Sequence, residues 1–197
     1  MSAPATRVAA VILAAGEGRR FGGPKLLTPL DGKPLLQHVL DAANGSSLAP
    51  IVLVVGHAAD ELLAAVRPGS ALVVRNDNYA SGQSTSLRAG LRAVAAADAA
   101  VVVLGDQPGV TGALLDALAE RQRRSGAGAV VSSWNGRRSP PTLLHRDLFP
   151  AIDELRGDVG ARDILARRSD VVTLHVDPAL ARLNDIDTPA DLERLIP

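Results

Sequence analysis

The chain has 197 residues, enough for one α/β domain that buries about 70% of the surface of its unfolded chain, so no second domain is required. Lys and Arg total 21 and Asp and Glu total 21, and this zero net charge argues against broad electrostatic binding of nucleic acid and makes any basic function local. The absence of cysteine removes disulfides, thiolate metal sites and a thiol nucleophile, and no apolar stretch reaches the roughly 18 residues of a membrane span, so a cytoplasmic protein off the membrane is expected.

Short aliphatic runs recur along the chain with helical patterns between them. Residues 8–13 form a first buried strand, and Leu35, Leu36, Val39 and Leu40 fall at helical spacing within 34–43. A second strand at 51–55 precedes a helix over 58–66, and a third at 71–74 leads through a polar loop into a helix over 84–96. A fourth strand at 100–104 is followed by a helix over 114–123 with a basic end, and strands at 129–132 and 171–176 complete the alternation. This order predicts a single-domain Rossmann-like three-layer sandwich over 1–197: a mostly parallel sheet, helices on both faces, and ligands outside the carboxyl ends of the strands. With four aromatic residues in all, the core must be aliphatic.

The segment from Val8 to Leu27 sets the apolar strand directly ahead of a loop with Gly16, Gly18, Gly22 and Gly23 and the cations Arg19, Arg20 and Lys25. Glycines free a backbone to curl around phosphates that a Cβ would keep away, and the cations supply counter-charge. Two better-known phosphate loops do not fit. The dinucleotide fingerprint needs a third glycine where Phe21 stands, and the nucleoside-triphosphatase loop needs Gly-Lys-Ser/Thr where Gly23-Pro24-Lys25-Leu26 stands. An ordinary glycine turn is the plainer alternative.

The strand ending at Leu104 delivers Gly105-Asp106-Gln107-Pro108 to its C-terminal edge, and a carboxylate there suits Mg²⁺ bridging triphosphate oxygens. Capping the helix near Thr111 is the competing role, made weaker by the gap between them. In the polar loop 75–87, the start of a helix presents unpaired amides suited to an anion or to the polar edge of a base. Ser84 and Ser86 add short donors there; Ser81 or Ser84 as a simple N-cap is an equal alternative.

Taken in order, Leu-Ala-Ala-Gly-x-Gly-x-Arg-Phe-Gly-x-x-Lys-Leu, Gly-x-Ser-x-Ser-Leu from Gly82, Gly-Asp-Gln-Pro from Gly105, Gly157-Asp158-Val159-Gly160-Ala161-Arg162 and the closing Asp185-Ile186-Asp187-Thr188-Pro189 resemble the molybdenum cofactor cytidylyltransferase branch of the MobA-like nucleotidyltransferases, almost end to end. The resemblance implies the nucleotide-diphospho-sugar transferase type of fold, and transfer of a nucleoside monophosphate from its triphosphate to the phosphate of a molybdopterin-type acceptor, with Mg²⁺ and release of pyrophosphate. It implies Leu13, Ala14, Ala15, Gly16, Gly18, Arg19, Lys25, Gly82, Ser86 and Asp106 as nucleotide-binding, Arg19, Lys25 and Asp106 as catalytic, and Asp106 and Asp187 as metal ligands. CTP is the implied donor because guanylyl-transferring relatives tend to carry Gly-Gly where Ala14-Ala15-Gly16 stands; GTP is the alternative. Transfer of the product to a molybdoenzyme or its chaperone also follows from the resemblance.

Elementary geometry agrees with part of this. In an extended segment Asp185 and Asp187 point to one face, so either carboxylate suits a metal shell, while Thr188, Pro189 and Asp191 read as the start of a helix. Residues 134–141 interrupt the alternation and predict a hairpin. There Trp134, Arg137 and Arg138 either cover an acceptor or anchor a solvated turn. His38, His57, His145 and His175 lack metal-ligand spacing and read as surface or core residues. Competing functions are guanylyl transfer to the same pterin, activation of a sugar phosphate or another small phosphate, and a non-catalytic nucleotide-binding module.

Overall fold

The first strand, β1 (Val8–Ala14), is buried on both faces, which is why it reads as an unbroken apolar run rather than an alternating one. The computed structural model describes residues 6–18, 21–183, 186, 188, 190 and 191. After β1, a small antiparallel ribbon of β2 (Pro29–Leu30) and β3 (Lys33–Pro34) leads into α1 (Leu35–Asn44). Then follow β4 (Ile51–Val55), α2 (Ala59–Ala65), β5 (Leu72–Arg75), α3 (Gln83–Ala93), β6 (Ala99–Leu104) and α4 (Gly112–Ser125). The chain continues through β7 (Ala129–Trp134), β8 (Arg137–His145), α5 (Phe149–Asp153), α6 (Arg162–Ala166) and β9 (Val171–His175).

Seven strands form one sheet in the order β5-β4-β1-β6-β8-β7-β9, and only β8 runs antiparallel to its neighbours. The six predicted strands and four predicted helices are all present; β8 is an addition to the sequence reading, which ended the hairpin at Pro141. Its turn, Asn135-Gly136, has φ of 49° and 76°, the left-handed pair that a two-residue hairpin requires.

Alternate residues of β1 feed opposite layers. Ala10 and Ile12 pack with Leu36, Val39 and Leu40 of α1 and with Leu114, Leu115 and Leu118 of α4. Ala9 and Val11 pack with Leu87 and Leu91 of α3, Ile152 of α5 and Leu165 of α6. This is the three-layer sandwich that the alternation predicts. Arg92 and Asp153, joined by two hydrogen bonds of 2.9 Å, tie α3 to α5, and that guanidinium lowers the Asp153 carboxyl below its ordinary range. Thr111 caps α4, accepting from the Leu114 amide at 3.2 Å, so Asp106 is not needed as the cap.

Gly90 lets α3 lie close on the sheet, because a Cβ there would sit 2.3 Å from Val11 Cγ1 and 3.1 Å from Val54 Cγ2. Gly90→Ala should therefore destabilise the fold: overpacking costs about 1–3 kcal/mol against a helix-propensity gain of about 1 kcal/mol. Chemical denaturation would show a lower midpoint at unchanged slope.

Candidate functional site

Strands leave β1 in both directions: β4 lies on one side and β6 on the other, and their C-terminal ends open a crevice. Gly105 donates its amide to Leu13 O at 2.9 Å, which sets the loop after β6 beside the loop after β1. A Cβ on Gly105 would stand 3.2 Å from that same oxygen.

The glycine loop turns back on itself. Phe21 N donates to Gly18 O at 2.9 Å and Lys25 N to Gly23 O at 2.7 Å. Gly18 has φ +64°, and a Cβ there would lie 3.0 Å from Gly23 O and 3.2 Å from Lys25 Cβ, so this position requires glycine. A 3-10 turn over Lys25–Leu27 then packs Leu26 and Leu27 against the core, which draws the neighbouring lysine inward. Lys25 is 8% exposed, and its Nζ meets Asp106 Oδ2 at 2.6 Å. The other carboxylate oxygen, Asp106 Oδ1, is buried without a hydrogen-bond partner among the described residues. A buried anionic oxygen left open costs stability unless a cation or a proton donor meets it, so the Asp106 carboxylate fits a divalent ion. Behind it, fully buried Gln107 donates from Nε2 to Ser139 Oγ and Pro140 O, fixing the loop to the hairpin.

Leu13, Ala14, Ala15, Gly16, Gly18, Lys25, Gly82, Ser86 and Asp106 all line one cleft of about 660 Å³. Arg19, Asp185 and Asp187 lie outside the described residues. Ile186, between the two aspartates, is buried and donates its amide to Asp106 O at 3.4 Å. Thr188 donates from both N and Oγ1 to Asp191 Oδ2 at 2.9 and 2.8 Å, the helix-start pattern read from the sequence.

The start of α3 departs from expectation. Its N-cap is Gly82, with φ +106° and no side-chain cap, so neither Ser81 nor Ser84 caps it. Two amides expected to stand open are taken, Ser84 N by Gly157 O at 3.2 Å and Gln83 N by Asp158 Oδ1 at 3.4 Å. The turn at 157–158 sits so close that a Cβ on Gly82 would meet the Gly157 carbonyl carbon at 2.3 Å. What this end offers the cleft is Ser86, Gln83 and Asp158 rather than free amides.

Several lining residues escape sequence reasoning. His57 and Tyr79 stand edge to face with ring centroids 5.9 Å apart, and both line the cleft with Ala58, Leu62 and Asp158. The signal available was position, since His57 follows β4 at the same sheet edge as the glycine loop and donates its amide to Ala15 O at 3.2 Å. Trp134 packs against the core while Arg137 and Arg138 are exposed, and none of the three lines the cleft. The packing of Trp134 is what the anchorage reading of the hairpin expects. Among the described residues no group of three or more His, Asp or Glu side chains is placed to hold a metal, so a divalent ion at Asp106 needs ligands from beyond that set.

A glycine loop at the switch point of an open α/β sheet, closed by a nearly buried lysine paired with a half-buried carboxylate, defines a domain that handles nucleoside phosphates. The chain belongs to the MobA-like NTP transferase domain family, whose sequence profile matches residues 10–172. It is 30% identical over 196 residues, 96% of each protein, to the nicotine blue oxidoreductase of Paenarthrobacter nicotinovorans. It is 32% identical to the purine catabolism protein PucB of Bacillus subtilis, over 93% of each. Among solved structures, the homologue of Mycobacterium tuberculosis Rv0371c from Mycobacterium sp. strain JC1 is 35% identical with a TM-score of 0.82, covering 96% of this chain and 94% of that one. The complex of Rv0371c from M. tuberculosis H37Rv with manganese is 29% identical with a TM-score of 0.78, over 97% and 98% of the two chains. No helix among the described residues is long and apolar enough to cross a membrane.

Proposed function

We propose that this cleft transfers CMP from CTP to the phosphate of a molybdopterin-type cofactor and releases pyrophosphate, with Mg²⁺ as the divalent ion, in the cytoplasm as one domain over 1–197. The single observation that carries the transferase reading is the pairing of nearly buried Lys25 with half-buried Asp106, whose second, buried oxygen is open at the mouth of the glycine loop. Hydride transfer needs no buried carboxylate beside a phosphate loop. This matters because two relatives that match nearly end to end are named as an oxidoreductase and a purine catabolism protein.

In this proposal an oxygen of the acceptor phosphate attacks the α-phosphorus in line. The bond from that phosphorus to the bridging oxygen breaks, and pyrophosphate leaves with the electron pair. No protein nucleophile or base is required, since the acceptor phosphate is ionised at neutral pH, so the residues act by position and charge. Gly16 and Gly18 let the backbone approach the phosphates, while Lys25 and Arg19 meet charge developing on them. Asp106 and Asp187 would hold the ion, and the amide of Ile186 already links their two segments through Asp106 O. When bound, that ion neutralises charge on the triphosphate oxygens. That the structural neighbour Rv0371c was solved in complex with manganese supports a divalent ion. Handover of the dinucleotide product to a molybdoenzyme or its chaperone completes the proposal.

A pyrophosphate-release screen of the four nucleoside triphosphates, each with molybdopterin and with sugar phosphates, tests this reading. CTP should exceed GTP by at least tenfold in kcat/KM, because a base whose edge does not match the groups at Gly82 and Ser86 leaves polar groups unpaired at about 1–3 kcal/mol each. Ser86→Ala should narrow the gap. Equal or better use of GTP overturns the donor; release with sugar phosphates alone overturns the acceptor; consumption of a reduced nicotinamide with no pyrophosphate overturns the transferase.

A further inference from the structure

Two polar groups on one stretch of the cleft wall have bonding capacity that the fold leaves unused. Ser86 is 5% exposed and lines the cleft; its hydroxyl accepts from Asn76 Nδ2 at 2.9 Å and donates to nothing among the described residues. The Asn76 amide is fixed in this orientation, because its Oδ1 accepts from Asn78 N at 3.1 Å while Nδ2 also donates to Thr85 Oγ1 at 2.9 Å. With Asn76 supplying a proton from behind, Ser86 keeps its own proton and one further lone pair for a ligand.

Asp158 lines the same cleft with the complementary capacity. Its Oδ1 accepts from Gln83 N, and its second oxygen receives no hydrogen bond from the described residues. A Cβ on Gly82 would lie 2.6 Å from Asp158 N, so residue 158 sits directly on Gly82, and Ser86 follows Gly82 by four residues on the same helix face, roughly 5–6 Å along. A proton donor and a proton acceptor thus stand one helical turn apart on one wall.

This inference rests on the transferase reading and deepens it: we infer that Ser86 and Asp158 read the donor base as a pair, the hydroxyl donating to N3 of cytosine and the carboxylate accepting from its exocyclic amine. Uracil has the same size and the opposite pattern. Its O4 would oppose the carboxylate with no proton between them, while its N3–H can donate to the remaining lone pair of Ser86, so the discrimination between the two pyrimidines falls to Asp158. Asn76 is a positioning residue, acting through Ser86.

The test uses Asp158→Asn, in which Oδ1 can still accept from Gln83 N while the outer atom changes from acceptor to donor. Calorimetric binding of CTP and UTP to the full chain with Mg²⁺, without acceptor, reads the effect directly, and circular dichroism verifies the fold. The unaltered protein should bind CTP at least tenfold tighter than UTP. The variant should lose about tenfold for CTP and gain severalfold for UTP, whereas Ser86→Ala should weaken both nucleotides to a similar degree, because the hydroxyl donates to cytosine N3 and accepts from uracil N3–H. Loss of both nucleotides in equal proportion in Asp158→Asn would make Asp158 a structural latch and overturn the inference, as would equal binding of CTP and UTP by the unaltered protein, or binding of neither. Discrimination between the pyrimidines without pyrophosphate release from any acceptor would sink the transferase reading and leave the base reading standing.

Discussion

Asp106→Asn should lose nearly all turnover, about a thousandfold, while the fold is kept. The carboxylate meets Lys25 at 2.6 Å through one oxygen and keeps the other buried and open, so it holds a fixed negative charge ready for a divalent ion. Asparagine preserves the shape and an acceptor for Nζ but supplies no charge to the ion. A thousandfold loss corresponds to about 4 kcal/mol of transition-state stabilisation, within the several kcal/mol a metal supplies. Removing one partner of a fully buried ion pair costs about 3–5 kcal/mol; here the loss of stability should be smaller, because the Asp106 side chain is 20% exposed and the amide oxygen still accepts. Steady-state kinetics, titration with Mg²⁺ or Mn²⁺ and a thermal melt separate these effects. Retained turnover with unchanged metal affinity would remove Asp106 from the metal site.

Lys25→Ala should depress kcat by roughly 10²–10³ while raising KM far less. Nζ is held in a nearly buried position by the 3-10 turn and by Asp106, so its charge needs little reorganisation to meet charge that develops as the α-phosphorus reacts. An ammonium that bound substrate and transition state equally would appear in KM alone. Lys25→Arg should not restore the rate, because a planar, forked guanidinium does not reproduce the compact point charge that Nζ places 2.6 Å from Asp106 Oδ2. Unchanged kcat in the alanine variant excludes the role.

The fold is legible wherever burial alone shapes the pattern. β1, β4 and β6 are apolar on both faces, and their C-terminal ends follow from order and handedness, so Lys25, Asp106 and Gly82 converge as read. β8 is hidden by Arg137, Arg138 and the pair Pro140-Pro141. Those prolines sit where the register with β7 jumps from Ser132↔Ser139 to Val131↔Thr142, and pairing with β6 starts only at Thr142, so neither is asked to donate to a regular ladder. The seal on α3 is hidden for another reason. Gly157 and Asp158 lie about 75 residues beyond Gln83, and no local pattern announces that a carbonyl and a carboxylate will fill helix amides that the sequence leaves open. The one trace is Gly82 itself, whose left-handed φ and lack of a Cβ admit the turn.

The central claim is tested most directly by the mass of the product. The protein is incubated with CTP, Mg²⁺ and molybdopterin, and the acceptor is weighed by mass spectrometry while pyrophosphate is counted. The acceptor should become heavier by one cytidylyl group, CMP less the elements of water, with one pyrophosphate released per molecule modified, and neither should occur in Asp106→Asn. An unmodified acceptor alongside an active preparation that consumes some other substrate would contradict it.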